Sequence, residues 1–291
     1  MMEIIKLIRV PQWIKNFFVF IPLVYSRNLF HTDYLIKSLT AFFIFCLLSS
    51  VVYVINDIVD AEADRHHPLK KNRPIASGKI SNANGITIAI ILLALGLLLS
   101  IYTNSMFKIF ALLYLVINIF YSFKLKHLVL LDIFSIAAGF MIRVTAGALV
   151  ISVEISSWLI LTTMFLSLFL AVMKRRSEIF VAGDVQNSTR KVLGDYSTNF
   201  IDQMATIAAA GVIISYALYT VSERTVTVFQ TEHLIYTTPF VVYGIFRYMF
   251  LVLNHNKGEN TTGIMVTDVS MITNIVLYSL TTIIIVYKLF S

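Results

Sequence analysis

The sequence predicts an all-α, polytopic membrane protein. Of its 291 residues, 58% are hydrophobic and only 13% are charged, and the mean hydropathy is +0.81. A soluble domain is far less apolar than this. The apolar residues also fall into runs of about 17 to 25, which is the length that a helix needs to cross the hydrocarbon core of a bilayer.

We expect about nine transmembrane helices. They are predicted near residues 14–30, 36–57, 84–102, 107–123, 129–150, 155–173, 201–221, 234–253 and 266–289. The first is the least regular, because Pro22 and Arg27 interrupt it. The spans occupy most of the chain, so residues 1–291 are expected to form a single transmembrane domain.

Lysines and arginines in the connections predict the orientation. Placing the N-terminus in the cytoplasm puts most of the 23 basic residues on that side, including those of the two richest connections, which follow spans two and six. We therefore expect a protein of the cytoplasmic membrane, with Ser291 outside. Lys6 and Arg9 precede the first span and indicate an uncleaved interfacial helix.

A cluster of acidic residues follows the second span, in "NDIVDAEADRHHPLKKNRPIASG". If that helix continues, its spacing puts Asp57, Asp60 and Asp64 on one face and Glu62 on another. Three like charges repel unless a cation lies among them, and hard oxygen ligands favour Mg²⁺, with Asn56 adding an amide group. The alternative is a solvated, charged helix end.

Basic residues follow the acidic cluster directly. Lys70, Lys71 and Arg73 alternate with prolines in "HPLKKNRP", which indicates a shaped loop. These cations either neutralise the aspartates or bind phosphate oxygens. A metal-bound diphosphate would use both charge types, since carboxylates hold the metal and cations hold the remaining oxygens.

The connection after span six begins "KRRSEIF". Lys174 and Arg175 are spaced to form ion pairs with Glu178 within one helix, which is the structural interpretation. The functional interpretation is a positive field at the cytoplasmic end that favours a polyanionic substrate.

Span five carries Asp132, Gly139 and Arg143 on one helical face. Ionisable residues inside a span are functional candidates, because exposing them to lipid is costly. Asp132 ranks first, since it lies with Lys126 and Tyr121 near the cytoplasmic edge. Arg143 has a structural alternative, an ion pair with a carboxylate across the bundle.

Other constellations carry weaker signals. Tyr236, Pro239, Tyr243 and Arg247 share a face of span eight, although tyrosines at membrane interfaces are common. The sequence contains no zinc-ligand spacing, Walker A motif or Gly-rich dinucleotide fingerprint. Its one cysteine, Cys46, excludes an intrachain disulfide.

The segment "NDIVDAEAD" resembles the N-D-x-x-D-x-x-x-D signature of the UbiA-type intramembrane prenyltransferase superfamily, and Asn56, Asp57, Asp60 and Asp64 match it position by position. The resemblance implies a helical bundle around a central cavity, with Mg²⁺ and diphosphate at the cytoplasmic end and a lateral opening for a lipid tail. The chain departs from the usual members after span six, where "MKRRSEIF" replaces a second Asp-rich motif.

The wider pattern is similar to the decaprenyl-phosphate phosphoribosyltransferase branch, through "LIRVPQWIKN", "LKHLVLLDIFSIAAGFMIRVTAGAL" and "KRRSEI". This resemblance implies Mg²⁺-dependent transfer of a 5-phosphoribosyl group from phosphoribosyl pyrophosphate to a polyprenyl phosphate. It makes Asp57, Asp60 and Asp64 the catalytic metal ligands. The further pocket candidates carried over are Gln12, Lys15, Asn56, Lys70, Arg73, Lys126, Asp132, Arg143, Lys174, Arg175 and Glu178, with Tyr196 and Arg247 as weaker ones.

Two alternatives stay open. One is a prenyltransferase of the same superfamily, with a polyprenyl diphosphate donor and an aromatic or glycerol-phosphate acceptor. The other is a transporter that uses the intramembrane Asp and Arg, although matched broken helices in two halves are lacking. The expected partners are the two phosphate substrates and the membrane, with no nucleic acid, and the sequence is compatible with a homo-oligomer.

Overall fold

The computed structural model describes residues 2–66, 70–183, 194–255 and 267–288, and this part of the chain is helical, without strands. The α-helices are α1 (Met2–Leu7), α2 (Ile21–Tyr25), α3 (Thr32–Val59), α4 (Ala61–Arg65), α5 (Asn82–Ser100), α6 (Ser105–Phe123), α7 (Leu131–Val150), α8 (Ser157–Gly183), α9 (Thr198–Val221), α10 (Glu223–Phe229), α11 (Thr238–His255) and α12 (Val269–Tyr287). The 3₁₀ helices are Val10–Phe20, Lys70–Asn72, Leu125–His127 and His233–Thr237.

Eight helices in the described ranges are long and apolar enough to cross a membrane. Each includes one of the helices α3, α5, α6, α7, α8, α9, α11 and α12, and together they coincide with predicted spans two to nine. The all-α, polytopic prediction is thus confirmed. Short polar side chains begin several of these helices by accepting the backbone N–H of the residue three positions later. Ser81, Asn104, Ser197 and Asp268 cap α5, α6, α9 and α12 in this way.

The first predicted span is built differently from the single long helix that hydropathy suggests. Residues Val10–Phe20 form a 3₁₀ helix, which α2 continues. At about 2.0 Å per residue for the first part and about 1.5 Å for the second, the two extend about 30 Å. This equals the thickness of a hydrocarbon core. Because a 3₁₀ helix rises further per residue than an α-helix, the first span needs fewer residues than a fully α-helical span of the same length.

Three residues per turn align the side chains of this 3₁₀ helix into straight rows. One row packs on α3, since Trp13 Nε1 donates to Ser50 Oγ at 3.0 Å and Asn16 Nδ2 donates to Ser49 Oγ at 3.3 Å. A second row is apolar and exposed; it includes Ile14 and Phe17.

The third row of the 3₁₀ helix is turned toward α7. It holds Gln12, Lys15 and Phe18, and the Phe18 ring meets the Phe140 ring edge-on with centroids 4.9 Å apart. Two sequence-predicted pocket residues therefore share the row that faces the bundle interior.

The long helices are neighbours in chain order around the bundle, from α3 with α5 and α6, through α7, α8, α9 and α11, to α12. Helix α7 packs tightly on the first span, because a β-carbon on Gly147 would lie 3.1 Å from Val19 Cα and overlap the Val19 carbonyl. At the end of the bundle opposite Asp57, α12 meets the first span: the hydroxyls of Tyr25 and Tyr278 are hydrogen-bonded.

Candidate active site

Asp57, Asp60 and Asp64 lie on one face of the chain although the helix is interrupted between them. Asp60 separates α3 from α4, yet helical bonding continues through it, from Asp60 N to Asn56 O at 2.9 Å and from Asp64 N to Asp60 O at 2.8 Å. Asp57 and Asp64 are buried, whereas the Glu62 side chain is 78% exposed. The three aspartates therefore lie inward and Glu62 outward, as the spacing predicts.

Two arginines neutralise the inner aspartates. Arg9 Nη2 lies 2.5 Å from Asp57 Oδ1, and its guanidinium stacks over the Tyr53 ring at 4.8 Å. Arg73 Nη1 bridges two carboxylates, at 3.2 Å from Asp57 Oδ1 and 2.6 Å from Asp64 Oδ2. The sequence pointed to Arg73 but treated Arg9 only as an orientation signal, since nothing local indicates that α1 returns it to the end of α3.

The third aspartate has a partner from a segment that is distant in sequence. Lys126, in the 3₁₀ turn between α6 and α7, is almost fully buried and places Nζ 2.5 Å from Asp60 Oδ1. Asn56 Nδ2 donates to Asp60 Oδ2 at 3.0 Å. Together with the contacts of Arg73, these bring five sequence-predicted candidates from three separate segments to the end of the bundle that holds Asp57: Asn56, Asp60, Asp64, Arg73 and Lys126.

The donor set suits a hard divalent cation. Asp57 Oδ2 is a buried carboxylate oxygen without a hydrogen-bond partner among the described residues. No group of three or more Asp, Glu, His or Cys side chains converges as a metal site within those same ranges. A cation bound here would take one or two carboxylates and fill its remaining positions with water and substrate oxygens, which is the usual arrangement for Mg²⁺.

A second network surrounds Arg175, whose side chain is completely buried. Its Nε lies 2.5 Å from Asp132 Oδ2, Nη1 pairs with Glu178, and Nη2 donates to Tyr121 OH at 2.9 Å. The structural interpretation of Arg175 is borne out, because the helical pair with Glu178 forms. The pair with the intramembrane Asp132 was not predicted.

Tyr196 completes that network. Its hydroxyl donates to Asp132 Oδ1 at 2.7 Å and accepts the Leu130 N–H at 2.6 Å. Burial, followed by the hydrogen bond to the Asp132 carboxylate, raises the pKa of the Tyr196 phenol, so the hydroxyl stays protonated as a donor. A residue that the sequence ranked low thus lies at the centre of the buried polar contacts.

The carboxylate partner considered for Arg143 is wrong for the described residues. Arg143 donates to Asn16 Oδ1 at 2.7 Å, to Gly139 O at 2.8 Å and to Tyr114 OH at 2.8 Å. Its guanidinium also packs over the Tyr114 ring. All of these acceptors are neutral, so a nearly buried positive charge has no ion-pair partner in this part of the chain.

Lys15 and Lys174 add further positive charge to the part of the interior that holds Arg143. Lys15 makes no hydrogen bond or ion pair with the described residues and lies within electrostatic range of Arg143 and Arg9. Lys174 is within range of Lys15, and its Nζ is 3.9 Å from Glu178 Oε1. The interior therefore has one region rich in carboxylates and another in which cations exceed them.

The remaining predicted residues divide between the interior and the exterior. Gln12 shares the inward row of Lys15, and Lys70 lies half-buried in the short 3₁₀ helix that precedes Arg73. Arg247 Nη2 pairs with Asp268 Oδ2 at 2.8 Å.

The polar stripe of the eighth predicted span is turned outward. Tyr236 and Tyr243 are exposed large side chains, which agrees with the interfacial interpretation. Within the described residues, Arg247 forms its ion pair with Asp268 and not with a member of the aspartate cluster.

Comparison with known proteins gives concordant matches. Residues 18–265 match the UbiA prenyltransferase family. The chain is 35% identical over 223 residues to decaprenyl-phosphate phosphoribosyltransferase of Mycolicibacterium smegmatis, covering 75% of this chain and 70% of that protein. It is 36% identical over 219 residues to the protein of the same name from Corynebacterium glutamicum, covering 74% and 66%.

The fold has a solved counterpart. It matches a UbiA homolog from Archaeoglobus fulgidus bound to GPP and Mg²⁺, with a TM-score of 0.70 over 98% of both chains and 16% identity. The family match covers most of the sequence, and the membrane-spanning helices agree with it. The chain is therefore an integral-membrane transferase that belongs to the UbiA prenyltransferase family.

Proposed function

We propose that the protein transfers a 5-phosphoribosyl group from phosphoribosyl pyrophosphate to a polyprenyl phosphate of the decaprenyl type, with Mg²⁺, and releases diphosphate. The observation that carries this proposal is the unequal charge distribution of the interior. Aspartates lie at one end, and Lys15, Lys174 and Arg143 form a more cationic region. The names of the relatives in Mycolicibacterium and Corynebacterium support the same reaction.

The aspartate end suits the diphosphate of the donor. Asp57, with either Asp60 or Asp64 as a second carboxylate, would hold Mg²⁺, which when bound neutralises the diphosphate and stabilises it as a leaving group. Arg73 and Lys126 already lie against these carboxylates. Their charges are therefore placed to bind phosphate oxygens that approach the aspartates.

The cationic region suits phosphate monoesters, which both substrates carry. Asn16 links Arg143 to Ser49 of α3, eight residues before Asp57. At about 1.5 Å per residue, this level lies about 12 Å deeper in the bundle than Asp57. An uncompensated buried cation is costly, and a bound phosphate would supply the missing negative charge.

The reaction requires little proton transfer. An oxygen of the acceptor phosphate attacks the anomeric carbon of the ribose, the bond from that carbon to the diphosphate oxygen breaks, and its electron pair leaves with diphosphate. Because the attacking oxygen is already anionic, the protein needs no strong general base. Its residues instead orient the two anions and stabilise the charge that develops on the leaving group.

The same proposal places the aspartate end at the cytoplasmic face of the cytoplasmic membrane, with the N-terminus inside and the C-terminus outside. Lys and Arg in the connections support this orientation. A water-soluble, highly charged donor would then reach the site from the cytoplasm, while the lipid acceptor enters from the bilayer.

Donor dependence tests the function. Purified protein with Mg²⁺ is expected to release diphosphate only when phosphoribosyl pyrophosphate and a polyprenyl phosphate are both present. Release that instead requires a polyprenyl diphosphate, with an aromatic or glycerol-phosphate acceptor, would favour a prenyltransferase. If neither pair reacts, transport of a polyanion becomes the better hypothesis.

A further inference from the structure

We propose that Tyr196 is a positioning residue: its hydroxyl fixes the backbone at Leu130 and thereby sets Lys126 against Asp60. The inference rests on the proposed function only where it gives Asp60 a role in catalysis. The contacts themselves join three segments that are distant in sequence.

Leu130 has an unusual backbone for its residue type. Its φ of 66° and ψ of −40° lie outside the regions that a leucine normally adopts, and such conformations persist only where the surroundings hold them. Leu130 also begins α7, because its carbonyl accepts Ile133 N at 3.0 Å and Phe134 N at 2.9 Å. No side chain caps that helix.

The Tyr196 hydroxyl supplies the acceptor for the Leu130 N–H at 2.6 Å. The position of the hydroxyl is itself determined by Asp132, to which it donates at 2.7 Å. Asp132 is in turn paired with Arg175 of α8 at 2.5 Å. The hydroxyl therefore acts as donor and acceptor at once, and a phenylalanine would leave both the Leu130 N–H and one Asp132 oxygen without their partner.

A short segment connects Leu130 to the aspartate cluster. Lys126 lies four residues earlier, so the two Cα atoms are at most about 14 Å apart, and the 3₁₀ turn Leu125–His127 takes up part of that segment. Lys126 is nearly fully buried and reaches Asp60 Oδ1 at 2.5 Å. A backbone change at Leu130 would therefore move Lys126 relative to Asp60.

The experiment compares Tyr196→Phe with Tyr248→Phe in the full-length protein. Tyr248 is a matched control, since it is buried in the same apolar cluster and its hydroxyl has no partner among the described residues. Hydrogen–deuterium exchange of peptides covering residues 124–132 is expected to rise in Tyr196→Phe and to stay unchanged in Tyr248→Phe. Faster exchange would show that the hydroxyl restrains this turn.

Kinetics then separate positioning from general stabilisation. Tyr196→Phe is expected to lower kcat/KM about tenfold, the worth of one good buried hydrogen bond. The double variant with Lys126→Gln should be no worse than Lys126→Gln alone, because both changes remove the same contribution.

Two results would overturn the inference: unchanged exchange over residues 124–132, or losses that multiply in the double variant. Failure of the proposed function would look different, since the unmodified protein would then transfer no phosphoribosyl group. The exchange experiment would still test the role of Tyr196 in that case.

Discussion

Arg175 Nε lies 2.5 Å from Asp132 Oδ2, and neither side chain is exposed. The sequence marked both as pocket residues, and Arg175 in particular as a phosphate ligand. In the structure its guanidinium is instead bonded to Asp132, Glu178 and Tyr121. Removing one partner of such a pair leaves a buried charge without compensation, which is more costly than losing a surface ion pair.

Arg175→Gln is therefore expected to lower the free energy of unfolding by about 3–5 kcal/mol. Arg175→Lys should recover only part of it, because an ammonium cannot bond three acceptors in the planar geometry of a guanidinium. The neighbouring Arg176→Gln is the control: its pair with Asp202 at 3.3 Å is partly exposed, so it should cost about 1 kcal/mol or less. Denaturation in detergent gives these values. Normal stability with weakened donor binding would restore Arg175 as a phosphate ligand.

Asp57→Asn is expected to abolish turnover, since it alters a carboxylate whose free oxygen suits a metal. The protein should still fold, with lower stability, because the amide oxygen of asparagine can accept from Arg9 and Arg73 but carries no charge to pair with them. Turnover is measured with the two proposed substrates while the Mg²⁺ concentration is varied. Glu62→Gln is the matched control on the exposed side of the same segment, and it should retain activity. An active Asp57→Asn with an unchanged Mg²⁺ requirement would refute the metal assignment.

Lys15→Gln and Lys174→Gln are each expected to weaken binding of a phosphate monoester by about 1.5–3 kcal/mol, the usual worth of a charge-assisted hydrogen bond. The KM for each substrate shows whether the lipid phosphate or the 5-phosphate of the donor is affected. Lys37→Gln, an exposed lysine near the start of α3, is the control. If both KM values stay the same in the two test variants, the cationic region binds neither substrate.

Gly147→Ala is expected to destabilise the bundle by roughly 1–3 kcal/mol or more, because the new β-carbon would overlap the backbone of Val19, which cannot move aside as a side chain can. Gly96→Ala is the control, since there the nearest atom is a Leu48 methyl carbon at 3.4 Å. Thermal unfolding of both variants measures the difference. Equal stability would mean that α7 and the first span can separate at low cost.

Hydropathy and helical spacing were sufficient to predict spans two to nine and the inward face of the aspartates. Both features depend on local sequence, because they follow from span length and from the angle between successive residues. Glu62 was assigned correctly to the outer side for the same reason.

Long-range pairing could not be predicted in this way. Tyr196 bonds Asp132 from 64 residues away, and Arg9 bonds Asp57 from 48 residues away. Whether an arginine binds a substrate or a buried carboxylate depends on which helices meet, and spacing along one helix carries no information about that. The neutral partners of Arg143, from the first span and α6, escaped prediction for the same reason.

The 3₁₀ winding of Val10–Phe20 makes the first span unusually sensitive to register. Because each turn contains three residues, adding or deleting one residue near Pro11 would rotate all later side chains by about 120°. Lys15 would leave the inward row, and a side chain from another row would replace it. An insertion of three residues would preserve the rows and shift them along the axis by about 6 Å. The length of this segment therefore determines which of the three rows of side chains faces the interior.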